Sequence, residues 1–335
     1  MDLNGKVVLV TGGTGSFGKQ FCKTVLERYK LRKLIIFSRD ELKQFEMQHD
    51  PAFRDREEMR YFIGDVRDFD RLEMAFRDVD YVIHAAALKH IPAAEYNPFE
   101  CIKTNVHGAE NVVRAAIRCN IKRVIALSTD KAANPINLYG ASKLASDKIF
   151  VAAKNLTDIH GPKFGVVRYG NVLGSRGSVI PFFQQMVKDG ADSLPITDNR
   201  MTRFWITLNH GIEFVLSCLP MAQSGEVFVP KIPSMKMTDL ARVVAPQLKT
   251  HEIGIRPGEK LHEAMITEEE ARNSLELPDR YVVRSMLYGD QTGYHEDEKT
   301  VPEGFYYASN NNSEWLTDED LESLLSEMGI VVPFK

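Results

Sequence analysis

The sequence predicts an α/β fold built on a doubly wound parallel sheet, with a smaller lobe formed by the C-terminal part of the chain. Short apolar runs alternate with segments that carry apolar residues at helical spacing, such as residues 17–26 and 111–119. A glycine-rich turn directly follows the first apolar run. Strands that alternate with helices over this length form a parallel sheet with helices on both faces.

Six apolar runs are predicted to be buried strands of this sheet. They are residues 7–10, 34–37, 61–63, 81–83, 124–127 and 164–167. After about residue 176, prolines, glycines and short mixed segments dominate, which is typical of a smaller lobe that covers one edge of a sheet. Thr317 is a predicted N-cap for a last amphipathic helix, and the polar residues 309–312 are expected to form a loop.

Composition and charge exclude several classes of protein. At 335 residues the chain is long enough for one large domain, or for two that share a core. A net charge of -4 gives no indication of nucleic-acid or acidic-membrane binding, and no apolar run reaches the roughly 18 residues of a transmembrane helix. The N-terminal residues show no signal-peptide pattern. We therefore expect a cytoplasmic protein.

The cysteines are scattered and match no metal-binding spacing. In a chain of this size, buried thiols in a reduced compartment are the simplest interpretation. We predict no metal site and no disulfide from Cys22, Cys101, Cys119 and Cys218.

The glycine-rich turn has the spacing of a dinucleotide-binding loop. Residues 11–18 are TGGTGSFG, and they lie between the first predicted strand and a predicted helix. Glycines at these positions permit a tight turn, close approach of the backbone to a pyrophosphate, and packing of helix on strand. The helix N-terminus adds free N–H groups and a positive dipole end. The predicted cofactor contacts here are Gly12, Thr14, Gly15, Ser16, Phe17 and Gly18.

The tip of the second strand bears on the choice between NADP and NAD. Ser38 and Arg39 come first, and Lys43 follows one helical turn later. A cation at this point accommodates a 2′-phosphate, whereas a carboxylate bonds the ribose 2′-hydroxyl. We predict NADP. Asp40 leaves NAD open as the alternative.

The ends of the third and fourth strands supply further predicted cofactor contacts. Asp65 and Val66 follow the third strand, where a carboxylate can meet the adenine amino group or cap a helix. Ala85 and Ala86 follow the fourth strand, and their side chains are too small to obstruct a cofactor. Lys89 comes next, and we expect it to reach toward the active site; the alternative is an exposed loop lysine.

A tyrosine–lysine pair after the fifth strand predicts catalysis. Tyr139 and Lys143 are four residues apart and share one face of a helix. A lysine there lowers the pKa of a nearby phenol, so we expect Tyr139 to exchange protons near neutral pH. Alone the motif is weak, because both residues are common on helix surfaces. The glycine loop and the neighbouring charged pair strengthen the prediction that this tyrosine–lysine pair is catalytic.

Asp130 and Lys131 add an acid and a possible base beside that phenol. A lysine must be neutral to accept a proton. We expect partial burial and the positive charges of Lys143 and an oxidised nicotinamide to lower the pKa of Lys131. The alternative interpretation is a solvated charged turn after a strand.

Together these residues resemble the extended short-chain dehydrogenase/reductase family over essentially the whole chain. Longer motifs narrow the resemblance to the inverting UDP-N-acetylglucosamine 4,6-dehydratases that begin pseudaminic acid synthesis. The motifs are STDKAANPINLYG at 128–140, RYGNV at 168–172, MTRFW at 201–205 and GIRPGEK at 254–260. The stretch from about 285 to 301 matches less well. The resemblance implies an NADP-binding Rossmann-like domain at 1–175 and a mainly substrate-binding lobe at 176–335, from which some segments return to the first domain.

The resemblance also implies a three-step reaction with one bound, recycled NADP. C4 of the sugar is oxidised, water is eliminated across C5–C6, and the hydride returns to C6. Tyr139 would be the base at the C4 hydroxyl, with Thr129 bonding the same oxygen and Lys143 holding the nicotinamide ribose. Lys131 would remove the C5 proton, and Asp130 would protonate the departing C6 oxygen. Reprotonation on the opposite face would invert C5; retaining relatives carry Asp-Glu at this pair.

Contacts with the nucleotide sugar come mainly from the resemblance. Arg203 and Arg256 are predicted to clamp the UDP pyrophosphate, because guanidinium pairs bidentately with phosphate. Asn171 would bond a phosphate or sugar oxygen, and Glu259 the uridine ribose. The remaining predicted substrate contacts are Lys89 and Thr202, and the remaining cofactor contacts are Thr104, Tyr139, Lys143 and Val172.

Other functions stay open from the sequence. A retaining nucleotide-sugar 4,6-dehydratase or a 4-epimerase is the nearest alternative, although a 4-epimerase has no use for an elimination pair. A catalytically inactive NADP-sensing protein is a different class, and such proteins usually lack the tyrosine–lysine pair. The family suggests a homo-oligomer, with a hexamer as the expected form, and UDP-N-acetylglucosamine as the small-molecule partner.

Overall fold

A ten-stranded sheet lies at the centre of a computed structural model that describes residues 1–158, 160–175, 177–285 and 298–334. The strands of the described chain are β1 Val7–Thr11, β2 Lys33–Ser38, β3 Met59–Ile63, β4 Tyr81–His84, β5 Arg123–Leu127, β6 Lys163–Val167, β7 Asn171–Val172, β8 Ser193–Ile196, β9 Thr202–Ile206, β10 Glu226–Pro230, β11 Ser234–Lys236, β12 Lys249–Glu252, β13 Ala264–Ile266, β14 Ser274–Glu276, β15 Arg280–Val283, β16 Lys299–Thr300 and β17 Tyr307–Ala308.

The six strands predicted from apolar runs are β1 to β6, and the predicted parallel sheet is confirmed. The prediction that all six are buried is wrong for β3, because it is the edge strand: residues 61 and 62 are half-buried and Ile63 is 50% exposed. Their order across the sheet is β3-β2-β1-β4-β5-β6, and every neighbouring pair in this part is parallel. The chain crosses from β3 to β4 on the far side of β1. This change of direction is the point at which doubly wound sheets bind ligands, beyond the carboxyl ends of the strands.

Later segments extend the same sheet. Strand β10 pairs parallel with β6, and β15, β14 and β16 follow in antiparallel order. The part of the chain predicted to form the second lobe therefore also contributes strands to the central sheet of the first domain. Arg176, at the expected division, and most of the stretch from 285 to 301 lie outside the described residues.

Helices cover the sheet and build the smaller lobe. Their bounds are α1 Ser16–Arg28, α2 Glu41–His49, α3 Phe69–Phe76, α4 Ile91–Tyr96, α5 Pro98–Ile102, α6 Gly108–Arg118, α7 Leu138–Ala152, α8 Val179–Lys188, α9 Leu208–Met221, α10 Met237–Val244, α11 Glu268–Ala271 and α12 Asp318–Glu327. Short 3₁₀ turns occupy Asp130–Ala132 and Ala153–Leu156, and a π-helical turn occupies Lys103–His107. Thr317 caps α12 as predicted, and Asp320 completes its capping box.

Two large apolar cores hold the described chain together, and a third, small cluster joins Ala133, Ala264 and Ala308. The larger core lies on both faces of the central sheet, and the smaller one lies among α8, α10, α12 and β8. Trp205 belongs to the smaller core and is 2% exposed. The smaller lobe therefore has an apolar core of its own, separate from the core of the central sheet.

The four cysteines are free thiols, three of them buried. Within the described ranges, no group of three or more His, Cys, Asp and Glu side chains has the geometry of a metal site. None of the helices in the described part of the chain has the length and apolar composition that a transmembrane span requires.

Candidate active site

A cleft of about 1330 Å³ lies at the carboxyl ends of the parallel strands. Its walls come from the turn after β1, the ends of β2 to β6, the start of α7, and segments of the smaller lobe. All the predicted site residues line this cleft except Asp130 and Thr202. The structure thus brings residues between Gly12 and Glu259 to one place.

The glycine loop forms one end of the cleft. Gly12 has φ +66, and a Cβ there would lie 2.9 Å from the backbone N and Cα of Ala86, so only glycine fits. Helix α1 begins at Ser16, and its N-cap Gly15 offers no side-chain hydrogen bond to the first turn. The free N–H groups of that turn, with the positive end of the helix dipole, suit a pyrophosphate.

The tip of β2 presents a hydroxyl and a guanidinium to the cleft. Ser38 Oγ lies 2.9 Å from Thr14 Oγ1, which ties the strand tip to the glycine loop. Asp40 caps α2: its carboxylate accepts from Lys43 N at 3.0 Å and pairs with Lys43 Nζ at 2.6 Å. The carboxylate of Asp40 is therefore engaged, whereas the side chain of Arg39 is 56% exposed at the cleft.

Asp65 lies beside that guanidinium at the end of β3. Its Oδ2 is 2.7 Å from Arg67 and 3.5 Å from Arg39. Burial alone would raise the pKa of Asp65, but the hydrogen bonds and charge of Arg67 outweigh burial and lower it. Asp65 is consequently an ionised acceptor at the cleft wall, next to Val66.

Thr104 gives an independent sign that this end of the cleft fits a ligand. Its Oγ1 is buried and has no hydrogen-bond partner among the described residues. The residue lies on the π-helical turn Lys103–His107 and lines the cleft. An unpaired buried hydroxyl is costly, and such turns occur often at functional sites. A polar atom of a dinucleotide would satisfy Thr104.

The end of β4 forms the floor of the cleft. Thr11 Oγ1 lies 2.8 Å from His84 Nδ1, and Ala85 and Ala86 follow as small lining residues. Burial and the nearby charge of Lys143 hold the pKa of His84 down to about 3, so this imidazole is neutral. Lys89 lines the cleft as well, and burial lowers its pKa. Lys89 is nevertheless exposed on the loop after β4, so both the predicted active-site contact and the alternative of an exposed loop lysine stay open.

Tyr139 and Lys143 both face the cleft from the first turns of α7. Asn137 caps this helix by accepting from Gly140 N at 2.8 Å. Burial raises the pKa of Tyr139 to about 12, and the charge of Lys131 and a hydrogen bond with Thr129 act in the opposite direction. The expected lowering of this pKa by Lys143 is therefore wrong for the free enzyme. Burial dominates, and the cation that opposes it is Lys131.

Asp130 and Lys131 form an ion pair between a buried carboxylate and a half-buried ammonium rather than a solvated turn. Asp130 is 0% exposed and lies behind the cleft wall. Its Oδ1 accepts from Thr129 Oγ1 and from Lys131 Nζ, each at 3.0 Å. Its Oδ2 is buried and has no hydrogen-bond partner in the part of the chain that the structure describes. Thr129 lines the cleft, so its hydroxyl connects Asp130 to the substrate space.

The pKa of Lys131 shifts in the direction opposite to the expectation. Burial alone would lower it, but the carboxylates of Asp130 and Glu263 outweigh burial and raise it. The expected lowered pKa is therefore wrong for the free enzyme, and Lys131 carries a proton there. Asn171 Oδ1 accepts a further hydrogen bond from Lys131 Nζ at 3.0 Å.

Glu263 is a site residue that sequence reasoning missed. It is 3% exposed, and its Oε1 lies 3.6 Å from Lys131 Nζ. Its Oε2 lies 3.4 Å from Lys260 Nζ, which also donates to the backbone oxygen of Ala133 at 2.6 Å. Glu263 comes three residues after the GIRPGEK motif, but nothing in that spacing connects it to Lys131.

The smaller lobe contributes the predicted nucleotide-sugar contacts. Arg203 is 4% exposed, donates to the backbone oxygens of its neighbours, and lies 3.6 Å from Glu259 Oε1. Arg256 is exposed at the cleft. Thr202 lies outside the cleft wall; its hydroxyl contacts His262 Nδ1 and Ser309 Oγ, both at 2.7 Å. Thr202 therefore supports the wall that carries Arg203.

Comparisons with known proteins agree with this geometry. The family model described as "Polysaccharide biosynthesis protein" matches residues 8–285. The chain is 54% identical over 330 residues to the UDP-N-acetylglucosamine 4,6-dehydratase (inverting) of Campylobacter jejuni, a match that covers 96% of this chain and 98% of that protein. It is 37% identical over 332 residues to the UDP-glucose 4-epimerase of Rickettsia canadensis, with 96% of each covered.

A solved structure shows the same fold over almost the whole chain. The X-ray structure of Pen from Bacillus thuringiensis superposes with a TM-score of 0.90 and 38% sequence identity. The superposition covers 99% of this chain and 100% of that one. Both lobes therefore have the arrangement found in that protein.

Proposed function

The chain belongs to the polysaccharide biosynthesis protein family of extended short-chain dehydrogenase/reductases, and on this premise we propose that it is a UDP-N-acetylglucosamine 4,6-dehydratase that inverts C5. The product would be UDP-2-acetamido-2,6-dideoxy-β-L-arabino-hex-4-ulose, the first intermediate of pseudaminic acid-type sugar synthesis. One observation carries the proposal: the Asp130–Lys131 pair, 3.0 Å apart, beside the phenol of Tyr139.

This pair separates the proposal from 4-epimerisation. A 4-epimerase moves a hydride from C4 and back, for which Tyr139 and the nicotinamide suffice. Elimination also needs a base at C5 and an acid at the C6 oxygen. Asp130 and Lys131 supply both groups on one turn after β5. The higher identity to the dehydratase than to the epimerase, 54% against 37% over equal shares of the chain, supports the same choice.

Each catalytic residue has a defined task in this proposal. Tyr139 takes the proton of the C4 hydroxyl, with Thr129 bonded to the same oxygen. Lys131 takes the C5 proton. Asp130 supplies the proton that leaves with the C6 oxygen. Because Asp130 lies behind the cleft wall, that proton passes through the hydroxyl of Thr129, which is 3.0 Å from Asp130 Oδ1. When bound, the nicotinamide would accept a hydride from C4 and return it to C6.

We propose NADP as the cofactor, with NAD as the less favoured alternative. Asp40 already accepts from Lys43 N and Lys43 Nζ in a helix cap, which makes its carboxylate a less favourable acceptor for a ribose 2′-hydroxyl. Arg39 extends along the cleft wall and suits a 2′-phosphate, which guanidinium binds well. Ser38, Thr14 and Lys43 surround the same point.

The nucleotide part of the substrate would lie against the smaller lobe. Arg203 and Arg256 provide the positive charge for a pyrophosphate, and Glu259, which pairs with Arg203 at 3.6 Å, faces the same space. Lys89 and Asn171 approach from the Rossmann-like side. The sugar would then lie between these residues and Tyr139.

We also propose that the protein is a cytoplasmic homo-oligomer, with a hexamer as the expected form. The rings of Tyr96 and Phe99 lie three residues apart at the junction of α4 and α5 and are 88% and 77% exposed. Exposed aromatic groups of this kind are common at contacts between subunits. Light scattering of the purified protein measures its mass directly.

The decisive experiment is NMR of the purified protein with UDP-N-acetylglucosamine in D₂O, without added cofactor. We expect a 4-keto-6-deoxy product with deuterium at an inverted C5, because reprotonation draws on solvent. A product with retained C5 would indicate a retaining dehydratase. A 4-epimer or unchanged substrate would refute the proposal.

A further inference from the structure

Two buried carboxylates from distant parts of the chain meet at Lys131. Asp130 precedes it on the same turn, with Oδ1 at 3.0 Å from Lys131 Nζ. Glu263 comes from the segment just before β13, with Oε1 at 3.6 Å. One ammonium thus serves two carboxylates that are 0% and 3% exposed. Neither carboxylate has access to bulk water as a substitute partner.

The two carboxylates differ in their other partners. Glu263 has a second cation, because its Oε2 lies 3.4 Å from Lys260 Nζ. Lys260 is itself fixed by a 2.6 Å hydrogen bond to the backbone oxygen of Ala133. Among the ion pairs of the described residues, Asp130 has one with Lys131 alone. Asp130 Oδ2 and Glu263 Oε2 are both buried without a hydrogen-bond partner in the described chain, so the second cation is what distinguishes the two carboxylates. Loss of the proton from Lys131 would therefore leave Asp130 without a cation, whereas Glu263 would keep one.

We propose that the Glu263–Lys260 ion pair positions Lys131 for the elimination and directs its proton to Asp130. Glu263 acts through Lys131 and is a positioning residue, not a catalytic one. This inference rests on the proposed function, since it concerns the elimination step of that reaction.

In this proposal, one proton transfer from Lys131 to Asp130 produces both the base and the acid of the elimination step. An N–H bond of the Lys131 ammonium breaks and an O–H bond forms on Asp130 Oδ1. The products are a neutral amine and a neutral carboxylic acid, which are the base and the acid that elimination needs. Glu263 stays ionised beside Lys260. A lone unpaired carboxylate in a buried site binds a proton more readily than a paired one, which sets the direction of the transfer.

The elimination then restores the resting charges. The amine takes the C5 proton, the C5–H electron pair becomes the C5–C6 double bond, and the C6–O bond breaks with its electron pair on oxygen. That oxygen takes the Asp130 proton through Thr129 and leaves as water. Lys131 is again an ammonium between two carboxylates. Glu263 provides a charge that stabilises the ammonium as it re-forms.

Three variants test the inference. Glu263→Gln keeps the size of the side chain but removes its charge, and Glu263→Asp keeps the charge on a shorter side chain. Glu269→Gln is the matched control, since Glu269 is exposed in the same part of the chain. Single-turnover absorbance at 340 nm follows C4 oxidation, and mass spectrometry in D₂O follows elimination and C5 exchange.

We expect E263Q to slow elimination at least about tenfold, part of the 10²–10⁴ that acid–base groups contribute, while C4 oxidation stays within about threefold. E263D should recover most of the loss, and E269Q should leave both steps unchanged. If E263Q does not fold, E263D alone should still slow elimination more than oxidation. Equal loss in both steps, or no loss, would overturn the inference.

The pH profile gives a readout that a purely structural role would not move. Removal of the Glu263 charge lowers the pKa of Lys131, so the rate of elimination by E263Q should reach its plateau at a lower pH than in the wild type. The charged and titratable groups that remain around Lys131 in E263Q include Asp130, Arg203 and Tyr139. Lys260, which pairs with Glu263 in the wild type, remains beside the new amide. An unshifted profile would overturn the inference. Failure of the proposed function is distinct, because the wild type itself would then yield no 4-keto-6-deoxy product.

Discussion

The amide oxygen of Asn171 accepts a hydrogen bond of 3.0 Å from Nζ of Lys131. Asn171 begins β7, which pairs with β9 of the smaller lobe, so a short strand between the two lobes orients a side chain from the turn after β5. Asn171 also lines the cleft. The amide of Asn171 therefore orients Lys131 in addition to its predicted contact with the substrate.

Asn171→Ala should lower the rate of elimination about tenfold, because the Lys131 ammonium loses one of its neutral acceptors and the geometry that it fixes. C4 oxidation should change less, since Tyr139 and Thr129 stay in place. Steady-state kinetics separate the roles: a fall in kcat reports orientation of Lys131, whereas a rise in KM alone would show that Asn171 only binds substrate.

Lys131→Met should abolish elimination and leave NADP binding intact, because the variant removes the base but fills the same space. C4 oxidation should persist with an altered pH dependence. The positive charge of Lys131 opposes the burial that raises the pKa of Tyr139, so its removal raises that pKa further. The phenolate then forms only at higher pH, and the limb of the oxidation profile that rises with pH should move upward. Stopped-flow absorbance at 340 nm measures it.

Lys148→Met is a matched control for that variant, because Lys148 is an exposed lysine on α7. Its elimination rate and its pH profile should match those of the wild type. Full turnover by Lys131→Met would contradict the assignment of the base.

Arg39→Ala should weaken NADP binding about tenfold and leave NAD binding nearly unchanged, because only the 2′-phosphate needs the guanidinium. Calorimetric titration of protein freed of cofactor gives both affinities. Arg54→Ala is a suitable control, since Arg54 is an exposed arginine that pairs with Asp55. An equal loss for both cofactors would point to a role of Arg39 in folding or in general phosphate binding.

Arg168→Met should lower the free energy of unfolding by about 3–5 kcal/mol, because the buried carboxylate of Asp147 and the half-buried carboxylate of Glu270 both lose the guanidinium. Arg168 is 1% exposed and pairs with Asp147 at 3.3 Å and with Glu270 at 2.9 Å. Denaturation by urea measures the change. The destabilisation caused by Arg168→Met should become smaller at low pH. Burial alone would raise the pKa of Glu270, but the charge and hydrogen bond of Arg168 outweigh burial and lower it. The Arg168–Glu270 pair therefore stops stabilising the wild type as pH falls through that lowered pKa.

The parallel half of the sheet and the cofactor loop were predictable because their signals are local. Strands β1 to β6 each contain a short apolar run, and the glycine spacing lies within eight consecutive residues. The extension of the sheet by β10, β14 and β15 was not predicted strand by strand. Those strands are short and lie among prolines and charged residues, where apolar runs carry little information.

The charge state of the site was not predictable in the same way. The pKa of Lys131 depends on Glu263, which reaches it only through the fold of the smaller lobe, and no sequence spacing records that contact. The same holds for Tyr139, whose pKa depends on how deeply α7 buries the phenol. The sequence identifies which groups are present, but tertiary packing determines which of them carry protons.

The pairing of β10 with β6 has a consequence for the evolution and engineering of this chain. Val166 and Val167 on β6 are fully buried, and their neighbour across the sheet comes from the later half of the sequence. A fragment that ended near residue 175 would present β6 as an open edge, which invites aggregation. The cofactor-binding half is therefore not expected to fold as an independent domain. Hybrids between related enzymes should exchange the loops at the strand tips rather than whole halves of the chain.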